Sequence, residues 1–211
     1  MYKYVLLNVF LISSTIALCP EIKTVENFNL TEYVKQKWYI QKQQVTKYLP
    51  LEENYCVTAS YNFSNKKIPF YQGLVLSVYN YANLNKTNGE NTNVKNIFLC
   101  ARIPNDTVKS KLLVAPCFLP NVFAGDYWVI AVGPNSNNYQ WAIVSGGQPT
   151  VQYEDGCTTR NDTVNHSGFW FLTRNQTVNN TLLEIMLDVA KQKGFTTSQL
   201  NNVKQKGCKY L

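Results

Sequence analysis

Histidine is almost missing from this chain: of 211 residues only His166 is one, and methionine occurs twice. No two of the cysteines stand as a C-x-x-C pair, and zinc ligation has too few candidates. No run of lysine or arginine exceeds two residues, although the formal net charge is +7. The excess therefore reads as dispersed, suiting solubility and weak affinity for anionic membrane or lipoprotein surfaces. With no basic helix and no RNA-binding signature, nucleic acid is not an expected partner. Long hydrophobic runs are lacking too. The apolar stretch from Tyr4 to Ile12 falls short of the roughly 20 residues a helix needs to cross a bilayer core of about 30 Å.

That stretch has another reading. Lys3 precedes it, and small residues follow, with Thr15 and Ala17 three positions and one position before a cleavage point. This is the anatomy of a secretory signal peptide over residues 1–17, leaving one domain over 18–211. Its removal takes one lysine, so +7 becomes +6. Six cysteines (Cys19, Cys56, Cys100, Cys117, Cys157 and Cys208) then read as three disulfides formed in an oxidising compartment. Eight N-x-S/T sequons begin at Asn29, Asn62, Asn85, Asn105, Asn161, Asn165, Asn175 and Asn179, and they point to a glycosylated, extracellular surface.

Apolar and aromatic runs recur between Asn, Gly, Pro and Ser punctuation. They are Trp38–Tyr48, Cys56–Phe63, Phe70–Tyr81, Lys95–Ile103, Ser110–Phe118, Tyr127–Val132, Tyr139–Val144 and Phe169–Thr173, eight in all. After Arg174 the period changes. Leu182, Ile185, Met186 and Val189 recur at helical spacing, with Leu183, Leu187 and Ala190 widening the stripe, Asn179 as N-cap and Gly194 just past the end. The fold class is all-β, eight strands with one late flanking helix. Periodicity alone leaves a closed up-and-down barrel and a sandwich both open.

Particular segments narrow this. Asn27-Phe28-Asn29-Leu30-Thr31-Glu32-Tyr33 followed by Lys37-Trp38-Tyr39-Ile40 resembles the opening of lipocalins. Gly125-Asp126-Tyr127-Trp128 onward and Tyr139-Gln140-Trp141 onward resemble that family's sixth and seventh strands, and Trp170-Phe171-Leu172-Thr173-Arg174 its last. The look is nearest to apolipoprotein D-like and bacterial outer-membrane members, and it runs from about Cys19 to Cys208. Two motifs depart from the family: Gln36 stands where it has glycine, and Val132-Gly133-Pro134 where it has T-D-Y. The resemblance implies an eight-stranded antiparallel up-and-down barrel. It also implies Cys19 bonded to Cys157 and Cys56 to Cys208, leaving Cys100 for Cys117 across a hairpin turn. The arginine ending the apolar strand FWFLTR has no acidic residue within nine positions. In the implied fold Arg174 lies over the Trp38 ring and closes the barrel, a structural role.

Alternation puts Val57, Ala59, Tyr61 and Phe63 on one side of their strand, with Cys56 outward. Alignment with the family places Leu76, Val78 and Asn80 inside, and Trp170 and Leu172 inward on the last strand. The same register leaves Tyr79 and Tyr81 outside, as a candidate patch for a partner or a membrane surface. These nine inward residues are the expected ligand wall. Their chemistry suits a lipid, fatty acid, sterol, retinoid or bilin, carried without any cofactor. The competing readings are a secreted interaction or coat protein with a filled barrel, and an isomerase-type enzyme on the same fold. Catalysis has little to work with: His166 lies inside a sequon, Asp126 reads as a turn residue, and every cysteine has a partner available.

Overall fold

The structure is a computed structural model that describes residues 19–210; the leader expected over 1–17 lies outside them. Eight strands form the wall: β1 (Trp38–Gln44), β2 (Tyr55–Ser64), β3 (Val75–Asn83), β4 (Phe98–Arg102), β5 (Lys111–Pro116), β6 (Gly125–Asn135), β7 (Asn138–Ser145) and β10 (Phe169–Thr173). Each pairs antiparallel with the next, and β10 pairs back onto β1 through Tyr39 opposite Thr173 and Ile40 opposite Leu172. That last pairing closes the sheet, so the alternative of two packed sheets is excluded and no wall strand is left with a free edge. A short hairpin of β8 (Val151–Tyr153) and β9 (Gly156–Thr158) lies in the long β7–β10 connection, and β11 (Leu200–Asn202) pairs with β1. None of these three was expected from the sequence, being only three residues each.

The FWFLTR segment shows how one strand is apolar on both faces. Trp170 and Leu172 point into the barrel, whereas Phe169 and Phe171 point out and are buried by a helix. That helix, α2 (Asn180–Gln192), begins where the Asn179 side chain accepts from the Leu182 amide at 2.9 Å. It ends at Gly194, whose φ of +84° lets the Phe195 amide return to the Ala190 carbonyl at 3.0 Å. Met186 and Ala190 are buried against Ile130, Ile143, Phe169 and Phe171. Ile185, expected in the apolar stripe, is 48% exposed, because the contact line runs along positions 182, 186 and 190 and leaves 185 to solvent.

The three disulfides join Cys19 to Cys157, Cys56 to Cys208 and Cys100 to Cys117. Cys56 sits at a bulge where β2 slips against β3, with φ at +56°. Its side chain therefore faces out, toward the C-terminal segment. This segment overturns the expectation that Tyr81 is an exposed patch. Tyr81 is 6% exposed, covered by Cys208 and the Tyr210 ring, while Tyr79 is half-buried with its hydroxyl bonded to Asn96.

Candidate functional site: a cavity with a tyrosine floor

One end of the barrel is shut by α1 (Leu30–Val34) and the chain leading into β1. Asn29 caps this helix by accepting from the Glu32 amide, and the Glu32 carboxylate accepts from the Tyr139 amide at 3.1 Å and from Lys35. Trp38 is fully buried and donates its indole N–H to the Tyr33 carbonyl at 2.9 Å. Arg174 Cζ lies 3.5 Å from the centre of the Trp38 ring, a contact worth about 0.5–2 kcal/mol. Its N–H groups donate to the carbonyls of Glu32 (2.8 Å), Tyr33 (2.9 Å), Gln36, Lys37 (3.4 Å) and Tyr139 (3.2 Å). A guanidinium has five N–H donors, so carbonyls alone satisfy it and no carboxylate is needed. Burial lowers its pKa to about 10, which leaves it charged at neutral pH.

Above this plug lies the floor of a cavity. Tyr33 and Tyr61 each place a hydroxyl 2.7 Å from the hydroxyl of Tyr127, and the three rings pack on one another. Burial pushes all three phenols up, Tyr61 to about 12, because a phenolate here loses its water. The floor is thus neutral, polar at three oxygens and aromatic everywhere else.

The cavity has a volume of about 640 Å³ and opens at the opposite end, between the β1–β2, β3–β4, β5–β6 and β7–β10 connections. Val57, Ala59, Tyr61, Val78, Asn80, Trp170 and Leu172 line it. The register brings them together: Ala59 is opposite Asn80, Tyr61 opposite Val78, and Leu172 opposite Ile40. Two expected residues do not reach it. Leu76 is fully buried in the core cluster below the cavity, and Phe63, opposite it, is 52% exposed at the shut end. Both belong to the inward face, but the floor tyrosines end the cavity before their level. The alternation was right for the face and blind to where the plug begins.

Several lining residues were missed from sequence. Tyr127 is the centre of the floor and stacks on Trp170 at 6.2 Å. The signal was present, since Tyr127 and Val129 alternate with Trp128 and Ile130, which face α2. Ile40, Leu99 and Val114 complete the apolar wall. Gln43, only 1% exposed and opposite Trp170, also lines the cavity. Asp126 is not a turn residue but the second residue of β6, at the mouth, with its Oδ2 3.0 Å from Nδ1 of the exposed His166. Of the sequon asparagines, six are exposed; Asn29 and Asn165 are half-buried, and Asn165 stands at the mouth.

No family profile and no curated protein sequence matches the chain. Solved structures do. Insecticyanin from the tobacco hornworm Manduca sexta aligns with a TM-score of 0.55 at 17% identity, over 91% of this chain and 89% of that one. The cockroach major allergen Per a 4 gives 0.52 at 15%, over 89% and 95%. Lobster apocrustacyanin A1 gives 0.52 at 13%, over 92% and 94%. Identities this low establish the fold: the chain is an eight-stranded, closed, lipocalin-like barrel with one C-terminal helix. A nearer likeness to apolipoprotein D or the bacterial members has no support among them.

Proposed function

We propose that this protein is a secreted carrier that holds one small, mainly apolar molecule in its barrel. The observation that carries the reading is the cavity itself: about 640 Å³, walled by aliphatic and aromatic side chains, shut below and open above. That size and lining fit the usual dimensions of a small-molecule site. A filled barrel, as an interaction or coat protein would have, offers no such space. The leader, the three disulfides and the exposed sequons support passage through the secretory pathway. The residues proposed to touch the ligand are Val57, Ala59, Tyr61, Val78, Asn80, Trp170 and Leu172, joined by Tyr127 and Gln43. Phe63 and Leu76 drop out. Carriage rather than catalysis is the consistent role, because the only histidine is an exposed residue paired with Asp126 at the mouth and no cysteine among the described residues is free.

The test is native mass spectrometry of protein from a eukaryotic secretory host, followed by solvent extraction. A small molecule recovered at near-stoichiometric occupancy supports carriage and names its class. If the protein emerges empty, Trp170 reports on added ligands, since it stands in the wall beside Tyr127. Failure of apolar ligands of every head-group class to perturb its fluorescence at micromolar levels ends the carrier reading.

A further inference from the structure

The charge of the cavity runs against the charge of the chain. The chain carries 20 lysines and arginines and 13 acidic residues, yet among the described residues no lysine or arginine lines the cavity, while two carboxylates do, Glu53 and Asp126. Glu53 stands on the short helical turn Leu51–Glu53 between β1 and β2. No cation lies within 4 Å of it among the described residues. Its hydrogen-bonding neighbour is Thr92, Glu52 beside it adds a like charge, and burial raises its pKa. Among the described residues, the ion-pair partner of Asp126 is the exposed ring of His166 alone.

A second observation is independent of these carboxylates. Gln43 is buried in the wall, and its Nε2 donates to Asn54 Oδ1 at 2.6 Å, but its Oε1 has no partner. An orphaned acceptor in an apolar wall costs free energy until a donor reaches it. Trp170 stands opposite Gln43, and its ring and that of Tyr127 line the same cavity; ring faces attract a cation rather than an anion.

We infer that the ligand is an organic amine, a protonated nitrogen on an apolar body, and that fatty acids and other carboxylates are turned away. The inference rests on the carrier reading above. An anionic head group entering this cavity meets two carboxylates, one of them beside the His166 ring, one unpaired acceptor and no lysine or arginine. An ammonium meets carboxylates at the mouth, with π faces and the Gln43 amide in the wall. Either body is accepted by the same aliphatic wall, so the head group decides.

Decylamine, decanol and decanoate share one apolar body and differ in that head group, and each is titrated at neutral pH by calorimetry and tryptophan fluorescence. Decylamine is expected to bind about tenfold or more tighter than decanoate, with decanol between them. The double variant Glu53→Gln, Asp126→Asn is expected to lose about tenfold in decylamine affinity and to leave decanol unchanged, which also shows that the variant is folded. A decylamine advantage below tenfold over decanoate overturns the inference while leaving the carrier reading intact. An equal loss for decylamine and decanol in the variant overturns it as well, by making the carboxylates structural. Absence of binding by all three removes the carrier reading, and the inference with it.

Discussion

The two ends of this barrel are built on opposite rules. At the shut end the polar groups of the plug and floor are paired, although Arg102 Nε at the end of β4 is left without a partner: Arg174 donates to five carbonyls, the Trp38 indole N–H has its acceptor, and the three floor hydroxyls bond one another. At the open end buried polar atoms are left over, among them Gln43 Oε1, Thr46 Oγ1, Asn54 Nδ2 and Ser167 Oγ. Apolar side chains there face solvent, with Ile97 at 55%, Phe123 at 60% and Val164 at 66%. A satisfied network fixes one arrangement. An unsatisfied one, rimmed by exposed apolar groups, is stabilised by an occupant. One end holds the fold, and the other is where the proposed ligand would sit.

The most disruptive way to break the contrast is Arg174→Met. It keeps an apolar stem on Trp38 but takes the guanidinium donors from five carbonyls, of which Tyr33's keeps the Trp38 indole N–H, and stability is expected to fall by about 4 kcal/mol in urea unfolding. The folded fraction should bind ligand with unchanged affinity, because Arg174 lies under the floor. A loss of affinity without a loss of stability contradicts the division between the ends. Next comes the Cys56→Ser, Cys208→Ser pair, expected to cost about 3 kcal/mol. It also frees the tail from Tyr81, so limited proteolysis after Tyr210 docking is lost should begin at the C-terminus.

Tyr127→Phe acts at the boundary between the two regions. It removes both floor hydrogen bonds at once and leaves the Tyr33 and Tyr61 hydroxyls facing a ring, an expected cost of about 1–2 kcal/mol. The raised phenol pKa values give a second readout. An ultraviolet titration of the wild type should show the floor tyrosines holding their protons to higher pH than a free phenol does. Ionisation of every tyrosine near pH 10 shows that water reaches the floor and that the shut end is open.

What the sequence conveyed differs between the ends in the same way. Trp38 and Arg174 are single residues with distinctive chemistry, and an arginine ending an apolar strand without an acid nearby is a conspicuous signal. Its use of carbonyls also explains how Gln36 replaces the family's glycine, since the backbone, not the side chain, accepts the bond. At Val132-Gly133-Pro134 the glycine has a packing reason: a Cβ on Gly133 stands 2.5 Å from the Trp141 ring. The cavity was legible only as alternation. A period of two gives the face but not the depth at which side chains from other strands meet, so Phe63 and Leu76 were carried into the wall and Tyr127 left out of it. Glu53 and Asp126 were invisible as cavity residues because they sit at loop and strand ends, where periodicity has no say.

Phe63→Ser is the finest probe of this division, and the smallest expected effect. Phe63 is on the inward face of β2 by register, yet it is half-exposed and lies on the far side of the floor from the cavity. Removing it takes little apolar surface out of contact, so stability should move by under about 0.5 kcal/mol. Ligand affinity should not change at all, whereas Trp170→Ala, on the same face above the floor, should weaken decanol or decylamine by about tenfold through lost wall area. If Phe63→Ser weakens binding as much as Trp170→Ala does, the tyrosines do not end the cavity, and the floor is a lid that a bound ligand passes.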